Sequence, residues 1–226
     1  MHGTFATTSI QIEPAILYFG TPVVLIGTCN EDGSHNLAPM SSAWWIGWRC
    51  MLGLDPTSKT TENLIRTGEC VLNLASADLV GAVDRLARTT GTDPVPAGKI
   101  RRGYRYEKDK FALSGLTALR GDTVAAPRAL ECPVQLEAKL VHVHELAQDE
   151  KVWRGARAIE VRITRVHAHP DIMMEGEANR IDPDKWRPLI MSFAQFYGLT
   201  QEKLQRSELG QIPERYYKPP GWQPAV

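Results

Sequence analysis

Only four cysteines occur in this 226-residue chain, Cys29, Cys50, Cys70 and Cys132, and no two share a C-x-x-C spacing. Their scatter excludes a zinc ribbon and a disulfide framework, so they read as reduced core thiols of a cytoplasmic protein. Long apolar runs are missing too. No stretch reaches the roughly twenty residues of a membrane helix, and Met1-His2-Gly3-Thr4-Phe5 lacks the basic-then-apolar pattern of a leader. The expectation is an unexported protein without a membrane partner. Charge of one sign is also lacking, because 26 Lys and Arg balance 26 Asp and Glu. A net charge of zero argues against nucleic acid recognised by bulk charge and leaves self-association little long-range repulsion. Neither G-x-S-x-G nor a Rossmann or Walker glycine pattern is present, which removes the sequence support for hydrolase and nucleotide-binding α/β readings. There is no internal repeat and no low-complexity segment.

What is present suits one sizeable core. Hydrophobic residues make up 43% of the chain, enough for a single mainly β domain over residues 1–226 with peripheral helices. Val23-Val24-Leu25-Ile26 is a short β-branched run bounded by turn residues, which predicts a buried strand. Asn30-Glu31-Asp32-Gly33 turns the chain, and an Asp-Gly pair between apolar runs predicts a hairpin returning through Leu37 and Met40 toward Trp45. Arg49 to Leu54 makes a third strand that Asp55-Pro56 stops. Three tightly connected strands begin an antiparallel sheet or barrel.

Asp55-Pro56-Thr57-Ser58-Lys59-Thr60-Thr61 carries the most chemistry. Thr57 or Ser58 caps a helix from about Lys59 to Arg66 that ends at Gly68, with Glu62 placed to complete a capping box if Ser58 or Lys59 opens the first turn. Lys59, Thr60 and Thr61 fall in the first turn. A helix start exposes unpaired N–H groups and about half a positive elementary charge, so hydroxyls and an ammonium there suit a phosphate. The same residues also suit plain capping with a solvated lysine, which is the commoner use of Ser and Thr.

Further along, residues 1 to 15 read as an arm or edge strand. Cys70 to Leu74 is a fourth strand, and Ala75 to Arg88 reads as a helix capped by Ser76 or Asp78 with Leu79, Val83 and Leu86 on one stripe. Thr89 to Gly103 is a long loop to which Lys99, Arg101 and Arg102 add positive charge, and long ordered loops are often functional. Tyr104 to Arg128 is irregular, anchored by Phe111, Leu113, Leu116 and Leu119 with a turn at Gly115. Cys132–Leu146 and Ile159–Ile172 are two strands that pair as a hairpin. Ile181-Asp182-Pro183 heads a predicted helix with Trp186, Leu189, Ile190 and Phe193 at helical spacing, so a helical and Pro-rich extension runs from about 181.

Other chemistries have weaker support. His142 with His144, and His167 with His169, are each i, i+2 on a strand and share a face, as two ligands of one metal would. No carboxylate or Cys stands at a ligand spacing beside them, and a solvated polar face is the simpler account, so no metal is expected. Trp44-Trp45-Ile46-Gly47-Trp48 suits stacking on a planar ligand, or a core or dimer interface.

Taken together the residues resemble the flavin reductase-like, FMN-binding split-barrel family. The resemblance rests on Thr21-Pro22-Val23-Val24, Asp32-Gly33 with Asn36-Leu37-Ala38-Pro39 and Ser41, and Ser58-Lys59-Thr60-Thr61 with Asn63-Leu64. It continues through Thr67-Gly68-Glu69-Cys70-Val71-Leu72-Asn73-Leu74, Asp109-Lys110-Phe111, Gly115-Leu116-Thr117 and Glu131-Cys132-Pro133-Val134-Gln135-Leu136-Glu137. Asp182-Pro183 and Trp186-Arg187-Pro188-Leu189-Ile190-Met191-Ser192-Phe193 point to a subgroup within it.

The resemblance implies a homodimer of split β-barrels, each binding FMN in a groove completed by the partner subunit. Carried over by position, Asn36, Leu37, Ala38, Pro39, Met40, Ser41 and Ser42 run beside the isoalloxazine, while Ser58, Lys59 and Thr61 hold the phosphate with Thr60 beside them. Trp44 or Trp45 would wall the pocket. The implied activity is hydride transfer from NAD(P)H to FMN N5, with the reduced flavin released to a partner monooxygenase or used on a bound small-molecule substrate. An FMN oxidoreductase with its own organic substrate, and a flavin-binding protein without turnover, share every cradle residue. Thr60 stands where many relatives carry Asp. In place of the Gly-Asp-His of several two-component reductases the nearest sequence is Gly121-Asp122-Thr123. No acid or base is obligatory for hydride transfer, so no catalytic residue is assigned, and His167 and His169 are candidates for the substrate side.

Overall fold

The computed structural model describes residues 9–149 and 155–217. Chain order is β1 (Phe19–Pro22), β2 (Val24–Cys29), β3 (His35–Met40), β4 (Ala43–Ile46), β5 (Arg49–Leu54), α1 (Lys59–Thr67), β6 (Glu69–Leu74) and α2 (Val80–Leu86). Then come β7 (Thr89–Thr90), α3 (Ala97–Ile100), β8 (Arg105–Tyr106), α4 (Lys110–Ser114), β9 (Ala118–Leu119) and β10 (Arg128–Ala129). The long hairpin β11 (Val134–Glu145) and β12 (Arg157–Ala168) precedes β13 (Ile190–Ser192) and β14 (Gln195–Tyr197).

Seven strands form one antiparallel sheet in the order β3-β2-β6-β11-β12-β5-β4. Its two edges, β3 and β4, are consecutive in the chain and joined only by Ser41 and Ser42. In a flat sheet those edges would lie about 29 Å apart at ~4.8 Å per strand, whereas two linking residues reach roughly 11 Å. The sheet must therefore curl until its edges approach, and Gly53 N donates to Ser42 O at 2.8 Å, extending the β4–β5 ladder into the two-residue link. The result is a half-barrel.

Alternation along β2 shows how the layers form. Val24 and Ile26 face the barrel interior with Leu52, Leu72, Ile159 and Val161, while Val23 and Leu25 face a second layer with Leu37, Val83, Leu86 and Phe111. The period of two thus separates an inner core from an outer one covered by α2 and α4. Cys50, Cys70 and Cys132 are buried in these cores and burial pushes their thiols up, to about 12 for Cys50 and Cys132. Cys29 is half-buried and donates to Ala125 O.

The predicted hairpin from β2 to β3 is present, with Gly33 at φ +80 in its turn. The predicted β11–β12 hairpin is also present. The loop predicted over Thr89 to Gly103 contains β7 and α3, and the irregular stretch after Tyr104 contains α4 and three short strands. Ser76 makes no side-chain cap, and the segment after it is a 3-10 turn leading into α2.

At 181 the prediction is overturned. Lys185 N and Trp186 N both reach Asp182 O, at 3.1 and 3.0 Å, so one turn forms there and stops. Pro188 has no N–H to extend a helix. Neighbours use the rest: Ala77 N donates to Arg187 O at 2.9 Å, Leu189 N to Ala75 O at 3.0 Å and Val23 N to Leu189 O at 2.8 Å. The chain then runs extended as β13, between β1 and β14. Residues 9–15 join no strand, and 1–8 of the predicted arm lie outside the described residues. In the tail, Glu208–Gln211 and Glu214–Tyr217 are short exposed 3-10 turns, and the end of the Pro-rich stretch, 218–226, lies outside the described residues.

Candidate functional site

A groove of about 800 Å³ opens where the β3–β4 seam, the start of α1, α2 and the segment around α3 meet. That volume lies in the range of small-molecule and cofactor sites. Ala38, Pro39, Met40, Ser41 and Ser42 form one wall, Gly53 to Ser58 and Thr60 another, and Val83 and Leu86 of α2 contribute apolar surface. Lys99, Arg102 and Tyr104 close one end; the β11–β12 hairpin contributes Leu146, Ala156 and Arg157, and the C-terminal strands contribute Met191 and Phe196.

The α1 start is built by its own residues. Ser58, with extended backbone, accepts from Thr61 N at 3.1 Å, and Gly68 closes the helix at φ +71. The Thr61 hydroxyl donates to Asp55 O at 2.7 Å and lies 2.8 Å from Ser58 Oγ, so it braces the cap. Asp55 Oδ1 accepts from Thr57 N at 2.8 Å and from its hydroxyl at 2.7 Å. Although burial raises the Asp55 pKa, those bonds and the charges of Lys99 and Arg102 hold it below its usual value. Among the described residues the N–H groups of Lys59 and Thr60 find no acceptor, as expected of a first helical turn. Glu62 makes no capping box; its carboxylate takes the Lys59 ammonium at 2.6 Å.

Beneath the groove lies a buried polar knot. Asn36, 1% exposed, donates through Nδ2 to Thr28 Oγ1 at 3.1 Å and Thr60 Oγ1 at 3.0 Å, and its Oδ1 accepts from Lys110 Nζ at 3.0 Å. Burial, then the nearby charge of Lys99, pulls the Lys110 pKa down to about 8.

Of the residues expected at the site, the structure brings Ala38 to Ser42, Ser58 and Thr60 to the groove. Asn36 supports it from below, and Leu37 is fully buried in the outer core. Lys59 is not on the groove wall, and Thr61 faces a separate hollow with Pro56, Thr57 and Ile65. Trp44 and Trp45 do not line the groove: Trp44 is 55% exposed on edge strand β4, and Trp45 packs against the barrel core with its Nε1 unpaired among the described residues.

His167 and His169 are elsewhere as well. His169 Nε2 lies 2.9 Å from Leu130 O, and His167 Nε2 lies 2.8 Å from Glu137 Oε1. Gly121-Asp122-Thr123 packs beside that pair, Asp122 N donating to Glu137 Oε1 at 2.8 Å. Asp122, Glu137 and His167 could share one cation by proximity, so carboxylates do stand beside His167, though not at a spacing visible in the sequence. The Glu137 oxygens are already occupied by the N–H groups of Asp122 and Thr123, the Thr123 hydroxyl and His167. Arg128 and Arg165 add positive charge. The cluster is a self-neutralised clamp. His142 and His144 are exposed, their rings 4.4 Å apart.

Sequence reasoning missed Lys99 and Lys110 as site residues. The signal for Lys99 was the basic loop, and for Lys110 the Asp109-Lys110-Phe111 match.

A curled half-barrel sheet with few helices and a groove at its rim defines the class, a mainly β split-barrel protein. Residues 16–200 match the family model described as a flavin reductase like domain, and the chain belongs to that family. YdfE of Bacillus subtilis (strain 168) is 38% identical over 200 residues, which cover 88% of this chain and 94% of that protein. Among solved structures, flavoredoxin of Desulfovibrio vulgaris (Miyazaki F) superposes with a TM-score of 0.71 at 20% identity, covering 90% of this chain and 100% of that one. Nitrilotriacetate monooxygenase component B from Bacillus cereus gives 0.69 at 16% identity, over 89% and 100%. The fold is theirs, and the family places the chain among flavin-related oxidoreductases.

Proposed function

We propose that the protein is a cytoplasmic FMN-dependent oxidoreductase of the flavin reductase type, working as a homodimer. The observation that carries this is the groove itself, an apolar wall of Ala38, Pro39 and Met40 running to a helix start with two acceptor-free N–H groups. That pairing fits a molecule with a flat apolar body and a phosphate at one end.

In this reading Ala38 to Ser42 lie along the ring and exclude water from one face, with Asn36 and Leu37 fixing the strand from below. Ser58, the N–H groups of Lys59 and Thr60, and the brace from Thr61 hold the phosphate end. FMN bound there supplies hydride acceptance at N5, with NAD(P)H as donor. The polypeptide's contribution is to hold donor and acceptor in contact and to present N–H groups where negative charge develops. The neighbour named as a monooxygenase component suggests a partner oxygenase that consumes the reduced flavin. Exposed Phe19, Trp44 and Ile46 are surface suited to a second copy of the chain.

The test is spectroscopic. Purified protein is titrated with FMN, then with NADH without oxygen. The expected result is a perturbed flavin band that bleaches, and steady NADH consumption once air is admitted. Bound flavin that stays oxidised with both NADH and NADPH overturns the reductase assignment; a flavin band unaltered by the protein overturns the groove assignment.

A further inference from the structure

The sequence expectation makes Lys59 the cation of the phosphate cradle, yet its ammonium is engaged by Glu62 at 2.6 Å and the residue is off the groove wall. Lys99 has the opposite situation. It lines the groove, is only 6% exposed, and its ammonium makes one hydrogen bond, to Thr57 O at 3.2 Å, two residues before α1 begins. An ammonium carries three donors, so among the described residues two are left without an acceptor in a place water barely reaches.

The surroundings do not neutralise it. Asp55 is the attractive neighbour, but its Oδ1 is taken by Thr57 and its Oδ2 lies 3.7 Å from Arg102 Nη2. Arg102 and buried Lys110 repel Lys99. The Arg102 guanidinium lies 5.5 Å over the Tyr104 ring, and both residues line the same end of the groove. Lys99 and Arg102 thus share the single carboxylate of Asp55 at this end of the groove, close to the start of α1, while Lys110 beneath has Glu107 as its own attractive neighbour. Burying a charge with so little compensation is costly unless a ligand completes the set. Burial lowers the Lys99 pKa, with the charge of Arg102 adding to it and that of Asp55 opposing it.

Resting on the FMN reading above, we propose that Lys99, carried by the segment around α3 and assisted by Arg102, is the cation that binds the ligand's phosphate monoester, and that Lys59 is not. Gly91 lets this segment seat closely: a Cβ there would come within 2.9 Å of Asn36 Oδ1 and 3.1 Å of Lys59 Cγ. The residues after β7 then act as a basic strap over the phosphate end of the groove.

The experiment compares FMN with riboflavin, which lacks the phosphate, on wild type, Lys99→Met and Lys59→Met by fluorescence titration, with melting curves of each apo protein. A charge-assisted contact is worth about ten- to a hundredfold in affinity. Lys99→Met is expected to weaken FMN by that factor and leave riboflavin within about twofold, whereas Lys59→Met changes FMN by less than about threefold. Apo Lys99→Met is expected to melt no lower than wild type, since an under-compensated buried charge is gone. Unchanged FMN affinity in Lys99→Met, equal loss of both flavins, or a larger loss in Lys59→Met overturns this inference and leaves the flavin reading standing. Wild type that binds neither flavin overturns both.

Discussion

Lys110 Nζ donates to Asn36 Oδ1 at 3.0 Å across 74 residues of sequence, and both side chains are buried. Because an ammonium can only donate, this bond fixes which amide atom is oxygen. Nδ2 then serves the hydroxyls of Thr28 and Thr60. One side chain thereby ties β2, α1 and α4 together beneath the groove.

Asn36→Ala should cost roughly 3 kcal/mol of stability, because it leaves a buried ammonium and two hydroxyls short of a partner. Urea unfolding measures this. Asn36→Leu combined with Lys110→Met should be less damaging than the two single losses summed, since removing both partners leaves no orphan charge. Strict additivity would show that the two residues do not interact.

Gly27 sits in β2 where the 121–129 segment crosses the sheet, and a Cβ there would fall on the Pro127 carbonyl oxygen. Backbone cannot move aside cheaply, so Gly27→Ala should destabilise by about 2 kcal/mol or more. A melting temperature within a degree of wild type would contradict the close approach.

Glu137 is fully buried, and although burial alone raises its pKa, bonds from Thr123, Asp122 and His167 hold it at about 2, against 4.5 normally. A depressed carboxylate contributes stability above its unfolded value and loses it as pH falls through the folded one. The clamp should therefore stabilise fully above about pH 4.5 and fade toward pH 2, a contribution of roughly 3 kcal/mol at neutrality. Glu137→Gln should be clearly less stable than wild type at pH 6 in urea, with the gap narrowing by pH 3. A gap independent of pH would remove the carboxylate from this role.

Ser58→Ala removes the side-chain acceptor for Thr61 N and should cost about 1 kcal/mol. Under the flavin reading FMN affinity should fall with it while riboflavin is spared. Equal losses of both ligands in titration would assign Ser58 to capping alone.

What the sequence determined by itself was local. The β2–β3 hairpin follows from Asp32-Gly33, where glycine adopts positive φ, and the limits of α1 follow from Ser58 and Gly68, each satisfying groups within four residues of itself. β2 was legible as a short apolar run because both of its faces are buried, and β11 and β12 as two strands joined by a short connector. Residues Ala38 to Ser42 were singled out through the family resemblance, and the fold puts them on the wall of the groove. Only tertiary structure decided the rest. Asp182-Pro183 begins a turn as its residues prefer, but the backbone that would extend it is bonded to β2 and to the chain before α2. Lys59 sits at the best position along the chain for a phosphate, yet Glu62, three residues on, holds its ammonium, while Lys99 arrives from forty residues away. Glu137 and His167 meet through strand register, and Asn36 and Lys110 through packing of α4 on β3. Short-range hydrogen bonds are written in neighbouring residues. Which distant charge is left without a partner depends on where the folded chain puts all the others.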